Sequence, residues 1–276
     1  MRIVMSYDIK SQLKEEIKMY DFQKANTWKR ISAYLCDFIL LAILVVGLAF
    51  LLTTVLGYDT YYERLEASYD KYEAEFGVSF DATAAELAEM SDDERALFEA
   101  ATKALSNDSD VQYTLGMLFN LTLIIITFSI LLAYLLLEFV VPLLFGNGQT
   151  LGKKVFGVGV MREDGVKISA VQLFARTVLG KYTIETMLPV LIVIMIFFGV
   201  MGIFGTFVII ALLIAQIVIF AVTKTNSVIH DKLARTVTVD MASQMIFESP
   251  EALLAYKKRI HEEQAQSSAD DGRLVK

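Results

Sequence analysis

Apolar positions along the chain gather into three long runs separated by charge-rich segments: Ile31 to Leu56, Leu115 to Leu137, and Met187 to Thr223. About 20 apolar residues cross a bilayer as a helix, so the first two runs supply one span each. The third is too long for a single crossing, and Gly199, Gly202 and Gly205 mark where it folds back. The pattern therefore predicts spans over 31–56, 114–145, 187–203 and 204–223.

The polar segments have their own periodicities. In "YDTYYERLEASYDKYEAEF", Tyr58, Tyr61, Tyr62, Leu65, Tyr69, Tyr72 and Phe76 recur at spacings near three and four, the mark of an amphipathic helix. That stripe either packs on a second helix or lies on the membrane surface; stripes at helical spacing usually face a core. Ser91 followed by Glu94 forms a capping box before "RALFEAATKAL". In the segment 146–186, Val155 to Met161 and Val166 to Ile168 are β-prone runs around Asp164-Gly165, which predicts a hairpin. Ser169 with Gln172 then starts a helix whose apolar side carries Val171, Phe174 and Val178, with Arg176 and Lys181 among its charges, as suits a membrane interface. The alternating "RTVTVD" reads as a strand able to join that hairpin. Pro250 opens a tail helix, and "AQSSADDGRLVK" reads as disordered.

Charge sets the expected orientation. Residues 57–112 hold four Lys+Arg against fifteen Asp+Glu, while residues 1–30 hold seven against four and residues 146–186 six against three. Basic flanks stay on the cytoplasmic side, so both termini and 146–186 are expected inside and the acidic insertion 57–113 outside. The formal net charge of −7 thus conceals a strongly acidic outer face. At 55% hydrophobic residues and a mean hydropathy of +0.51 the chain is more apolar than soluble domains. The polar first 30 residues and the long first span read as an uncleaved anchor. Cys36 is the only cysteine, which excludes an intramolecular disulfide. The fold class expected is an all-α polytopic membrane protein with four transmembrane helices, an interfacial amphipathic helix, a small cytoplasmic β-hairpin and an extracytoplasmic helical insertion.

Catalytic chemistry finds no foothold. "GNGQTLGKK" is not a phosphate-binding loop, because Asn147 stands at the first glycine position and Lys154 at the hydroxyl position. Gln149, Thr150, Gly152 and Lys153 read instead as a basic turn near anionic headgroups. The two histidines, His230 and His261, belong to no metal or nucleophile motif. No catalytic residue, cofactor or metal ligand is assigned, and the expectation is a protein that is not an enzyme.

Arg30, Ala33 and Asp37 share one helix face, with about 10.5 Å between the two charged positions. Too distant to bridge each other, both need partners from other segments, and the small Ala33 lets such a segment approach. Glu138, Arg176, His230 and Asp231 are the candidates. Three readings stay open: a structural clamp, charges resting at the headgroup boundary, or an ion-handling site, since intramembrane charge marks function by default.

The blocks "RISAYLCDFILL", "GQTLGKKVFGVGVMREDG" with "LFARTVLG", and "SVIHDKLARTVTV" resemble, in order, those of the RDD family of membrane proteins, over residues 28–56 and 115–240. The family takes its name from one arginine and two aspartates, which by resemblance fall on Arg30, Asp37 and Asp231. The resemblance implies a bacterial cytoplasmic membrane protein, with transport of a small ion or solute in some members and an accessory role in membrane complexes in others. The long acidic insertion and extended tail depart from the compact pattern and suggest partner surfaces. Expected partners are the lipid bilayer, a small cation or solute, a membrane protein engaging 57–113 or the C-terminal tail, and a second copy of the chain. Nothing points to nucleic acid.

Overall fold

The structure, a computed structural model, describes residues 25–223 and 228–274, so the basic head 1–24 and its expected placement lie outside the described residues. Among the described residues, four helices are long and apolar enough to cross a membrane: α1 (Thr27–Val55), α5 (Ser109–Phe145), α7 (Ala170–Phe197) and α8 (Gly202–Val222). Between them stand the shorter α2 (Tyr58–Phe76), α3 (Ala84–Glu89), α4 (Asp92–Asn107) and α6 (Leu151–Val155). Strand β1 (Val158–Arg162) precedes α7, helix α9 (Ile229–Ala234) and strand β2 (Thr236–Asp240) follow α8, and α10 (Pro250–Leu274) comes after them.

The outward faces identify the solvent. On α1, Val46 and Phe50 are 70% and 77% exposed, and on α8, Phe207 and Ile217 are 62% and 68% exposed. Contiguous apolar surface on that scale is unfavourable in water but matches hydrocarbon, and a helix meets the condition that every backbone polar group be satisfied within the segment.

Residues 43–132 form one compact unit. Its core joins Tyr72 of α2, Leu105 of α4 and Val111 of α5, with Leu65, Tyr69, Phe76 and Phe80 packed against them. Of the two readings of the aromatic stripe, this is packing on a second helix. Gly77, with a φ of 67°, ends α2, and the Glu73 carboxylate accepts from the Phe80 amide at 2.6 Å. Capping boxes at Thr83/Glu86 and Ser91/Glu94 start α3 and α4. These local devices order an insertion that has no cysteine to cross-link it.

The remaining residues, 1–42 and 133–276, cluster as a second unit. Here the structure corrects two expectations. The helix begun at Ser169 does not stop at an interface before a separate span over 187–203: it runs unbroken from Ala170 to Phe197, and the chain turns only around Gly199. Pro189 does not break it, because Ala175–Met187 is π-helical and the Leu188 amide bonds back five residues to Thr183. The same arrangement precedes Pro142, where Leu135–Val140 is π-helical and the Val141 amide reaches Leu136. A widened turn spares the carbonyl that a proline ring would strike in a regular helix.

The expected hairpin also gives way to a longer-range pairing. β1 pairs antiparallel with β2, Val158 opposite Asp240 and Arg162 opposite Thr236. Across the Asp164-Gly165 turn the hairpin is short: the antiparallel bridge Met161–Lys167 forms and the Arg162 amide donates to the Val166 carbonyl at 2.9 Å, while Val166 also bridges to Phe247. Burial explains the preference: Val160, Met161, Val237 and Val239 are all at most 1% exposed, a fit for strands covered on both faces. The tail helix likewise runs to Leu274, through most of "AQSSADDGRLVK", where disorder was expected.

Candidate functional site

Asp231 lies in the first turn of α9 and is 1% exposed. Arg176, on the π-helical part of α7 and 2% exposed, donates to Asp231 Oδ1 from Nε at 3.0 Å and from Nη2 at 2.7 Å. Arg30 of α1 approaches the other carboxylate oxygen at 3.9 Å and stacks over the Phe220 ring at 5.5 Å. Burial alone would raise the Asp231 carboxyl, but Arg176, helped by Arg30, outweighs it and holds the group well below the usual carboxylate range. α7 and α9 can meet this closely because Gly180 has no side chain: a Cβ there would lie 2.5 Å from His230 Cβ.

His230 extends the network. Its Nδ1 lies 2.8 Å and 2.9 Å from the two Glu185 oxygens, and its Nε2 lies 3.0 Å from Arg176 Nη2. Arginine can only donate, so Nε2 accepts and Nδ1 carries the proton given to Glu185. Burial, reinforced by Arg176, pushes His230 below its ordinary value against the pull of Asp231 and Glu185, which keeps the ring neutral.

Asp37 is held by other means. One carboxylate oxygen accepts from the Thr150 hydroxyl and the other from the Gly152 amide at 2.7 Å, at the start of α6. Ala33, 1% exposed, and Gly152 supply the close approach: a Cβ on Gly152 would fall on the Ala33 carbonyl oxygen and within 2.9 Å of Asp37 Oδ1. Gln149 braces the same turn by donating to the Val158 carbonyl at 2.9 Å.

Glu138 sits on the π-helical part of α5, 6% exposed, with Oε1 2.6 Å from Lys181 Nζ. Thr177 donates to the Glu138 carbonyl at 2.9 Å, which joins the two π-helical segments. Lys153 of α6 is 9% exposed. Burial, with Arg176 and Lys181 nearby, pushes its ammonium down to about 7, against the pull of Glu138 and Asp37. Among the described residues, Lys153 Nζ and Glu138 Oε2 are buried without a hydrogen-bond partner. Both residues line a cavity of about 620 Å³, together with Arg30, Asp37, Arg176, Lys181, Glu185 and Asp231. Ile31, Phe38 and Leu41 of α1 and Leu213 and Phe220 of α8 make its apolar wall. Among the described residues no group of three or more His, Cys, Asp or Glu side chains is placed to hold a metal ion.

The structure thus gathers Arg30, Arg176, His230 and Asp231 into one network and gives Asp37 to Thr150 and Gly152 rather than to a cation. Glu138 pairs with Lys181, not with the first span. Sequence reasoning overlooked Lys181 and Glu185 as partners, because a regular helical wheel separates Arg176 from Lys181. Bonding from i to i+5 widens the turn and brings residues five apart onto one face. The prolines that follow each π-helical segment were the available signal.

No curated protein and no solved structure shows significant similarity to the chain. The family model described as RDD family matches residues 24–235, which contain Arg30, Asp37, Asp231 and the elements that position them. This match covers well over half of the sequence, and the chain therefore belongs to the RDD family of integral membrane proteins.

Proposed function

We propose that this RDD-family protein carries a small ion or solute across the membrane, with the charged cavity as its binding site. The observation that carries the reading is the pair of unpartnered groups on the cavity wall, Lys153 Nζ and Glu138 Oε2. A buried polar group without a partner costs about 1–3 kcal/mol, and a fold that leaves two of them beside a cavity of ligand size keeps them for something that visits. The other charges are structural: Asp231 ties α1, α7 and α9 together, and Asp37 ties α1 to α6. The excess of Lys and Arg in 1–30 and 146–186 supports an orientation with both termini and the cavity on the cytoplasmic side, in the bacterial cytoplasmic membrane that the family resemblance implies. Transport makes no chemical bond, consistent with the expectation that the protein is not an enzyme.

The test is uptake into proteoliposomes of radiolabelled sodium, phosphate, acetate and leucine by the purified full chain. The reading expects uptake of at least one probe above protein-free vesicles, lost in Lys153→Met while that variant still elutes as a folded species. No uptake of any probe by folded, reconstituted protein overturns it.

A second reading has its own support. The acidic insertion folds around a separate aromatic core, a construction suited to an accessory or scaffold subunit that docks a membrane partner there or through the tail, or pairs with a second copy. Co-purification of a partner from native membranes that is lost on deleting 57–113, with no flux, is what that alternative expects.

A further inference from the structure

The two unpartnered groups are of opposite kind. An ammonium only donates hydrogen bonds, whereas an ionised carboxylate oxygen only accepts them. Lys153 therefore lacks an acceptor and Glu138 Oε2 lacks a donor, and the two are not bonded to one another. The rest of the charged wall is satisfied: Asp231 by Arg176 and Arg30, Glu185 by His230, Asp37 by Thr150 and Gly152, and Glu138 Oε1 by Lys181.

Charge balance narrows the occupant further. With Lys153 protonated, as it is below about pH 7 or with a carboxylate docked beside it, the wall carries Arg30, Lys153, Arg176 and Lys181 against Asp37, Glu138, Glu185 and Asp231, four of each sign, with the His230 ring neutral. An added anion or cation would leave that balance uncompensated in a poorly solvated site. A molecule with one carboxylate and one ammonium would not. The same cavity is also lined by Phe38, Leu41, Leu213 and Phe220, which offer nothing to a polar solute but would cover an apolar side chain.

We propose that the cavity binds a zwitterionic amino acid with an apolar side chain, its carboxylate on Lys153, its ammonium on Glu138 and its side chain against Phe38 and Phe220. The inference rests on the carrier reading for the identity of the site and adds its substrate class. A bridging water could join the same two groups, but a water occupies only about 30 Å³, a small part of the about 620 Å³ present. Lys153 supplies a further signature. Its ammonium is pushed down to about 7, so a carboxylate docking beside it restores the proton, and binding above that pH draws protons from the buffer.

The experiment is equilibrium binding of radiolabelled leucine to the full-length protein in nanodiscs, with three competitors: isocaproate, which keeps only the carboxylate, isoamylamine, which keeps only the ammonium, and glycine, which lacks the side chain. Leucine should outcompete each by about tenfold or more, as expected for one lost charge-assisted bond or one buried aliphatic side chain. Lys153→Met and Glu138→Gln should each weaken leucine by a similar factor, and the wild-type competitor series stands even if a variant fails to fold. Leucine binding in a weakly buffered solution above pH 7 should raise the pH. Isocaproate or isoamylamine binding as tightly as leucine overturns the inference and leaves the carrier reading intact. So does flux of another probe without leucine binding. Absence of both binding and flux, with the two groups joined by water only, overturns both.

Discussion

Asp231→Asn is the sharpest perturbation of the buried network. Asparagine keeps the shape and still offers Oδ1 to the two Arg176 donors at 3.0 and 2.7 Å. What it removes is charge. Each of those bonds keeps the charged guanidinium donor but loses the acceptor's charge, which weakens it by about 1 kcal/mol within the range of about 0.5–3 spanned by neutral and charge-assisted bonds. Two bonds therefore lose about 2 kcal/mol. The Arg30 guanidinium, 3.9 Å from Oδ2, meets an amide N–H₂ in place of a carboxylate oxygen, which adds about 1 kcal/mol. The total of about 3 kcal/mol sits at the lower edge of the 3–5 typical for removing one partner of a buried pair. Unfolding in mixed detergent micelles, followed by a thiol-reactive dye on Cys36, the sole cysteine, measures it. Arg176→Met should cost at least as much, since it strands a carboxylate 1% exposed, while the double variant should cost at least 2 kcal/mol less than the sum. The sign with pH is fixed as well. Asp231 titrates below its unfolded value, so its contribution is present above about pH 4 and is lost as pH falls through the folded value, a loss Asp231→Asn should not show. An Asp231→Asn protein within 0.5 kcal/mol of wild type, or strictly additive variants, would refute the buried network.

Other consequences follow from the same geometry. Lys153→Met should raise stability near pH 7 by about 1–3 kcal/mol, because a buried donor without a partner is replaced by an apolar side chain of similar reach. In wild type the folded value of Lys153, about 7, lies below the unfolded one, so the unfolded chain binds the extra proton between about pH 7 and 10 and stability rises with pH across that window; detergent unfolding of both proteins shows whether Lys153→Met removes that rise. Gly180→Ala should separate α7 from α9, its methyl group 2.5 Å from His230 Cβ, and lower the melting temperature more than Gly116→Ala, where nothing lies within 4 Å. Gly152→Ala should expose the α6 turn to limited proteolysis, because the new methyl group collides with the Ala33 carbonyl. Ser91→Ala should cost about 1 kcal/mol through the lost cap, read as reduced thermal stability of the full chain by circular dichroism.

Much of the architecture was legible along the chain because its causes are local. Length and apolarity alone pick out four helices able to cross a bilayer among the described residues, since a bilayer accepts only segments that satisfy their own backbone. Ser91 and Glu94 announce a helix start because the capping bonds lie within one turn, and the tyrosine stripe announces a packed face because helical spacing fixes which residues share a side. Arg30, Asp37 and Asp231 could be picked out because charge beside hydrocarbon demands a partner. Which partner could not be read. Asp37 found a hydroxyl and an amide at α6, β1 took the strand expected only to join its hairpin as its main partner, and one helix ran through Pro189 where an interfacial piece and a separate span were expected. Each outcome was decided by competition among distant segments for burial, which no local pattern encodes. The two unpartnered groups on the cavity wall belong to that second kind: whether Lys153 and Glu138 are paired or waiting depends on where three separate helices place them.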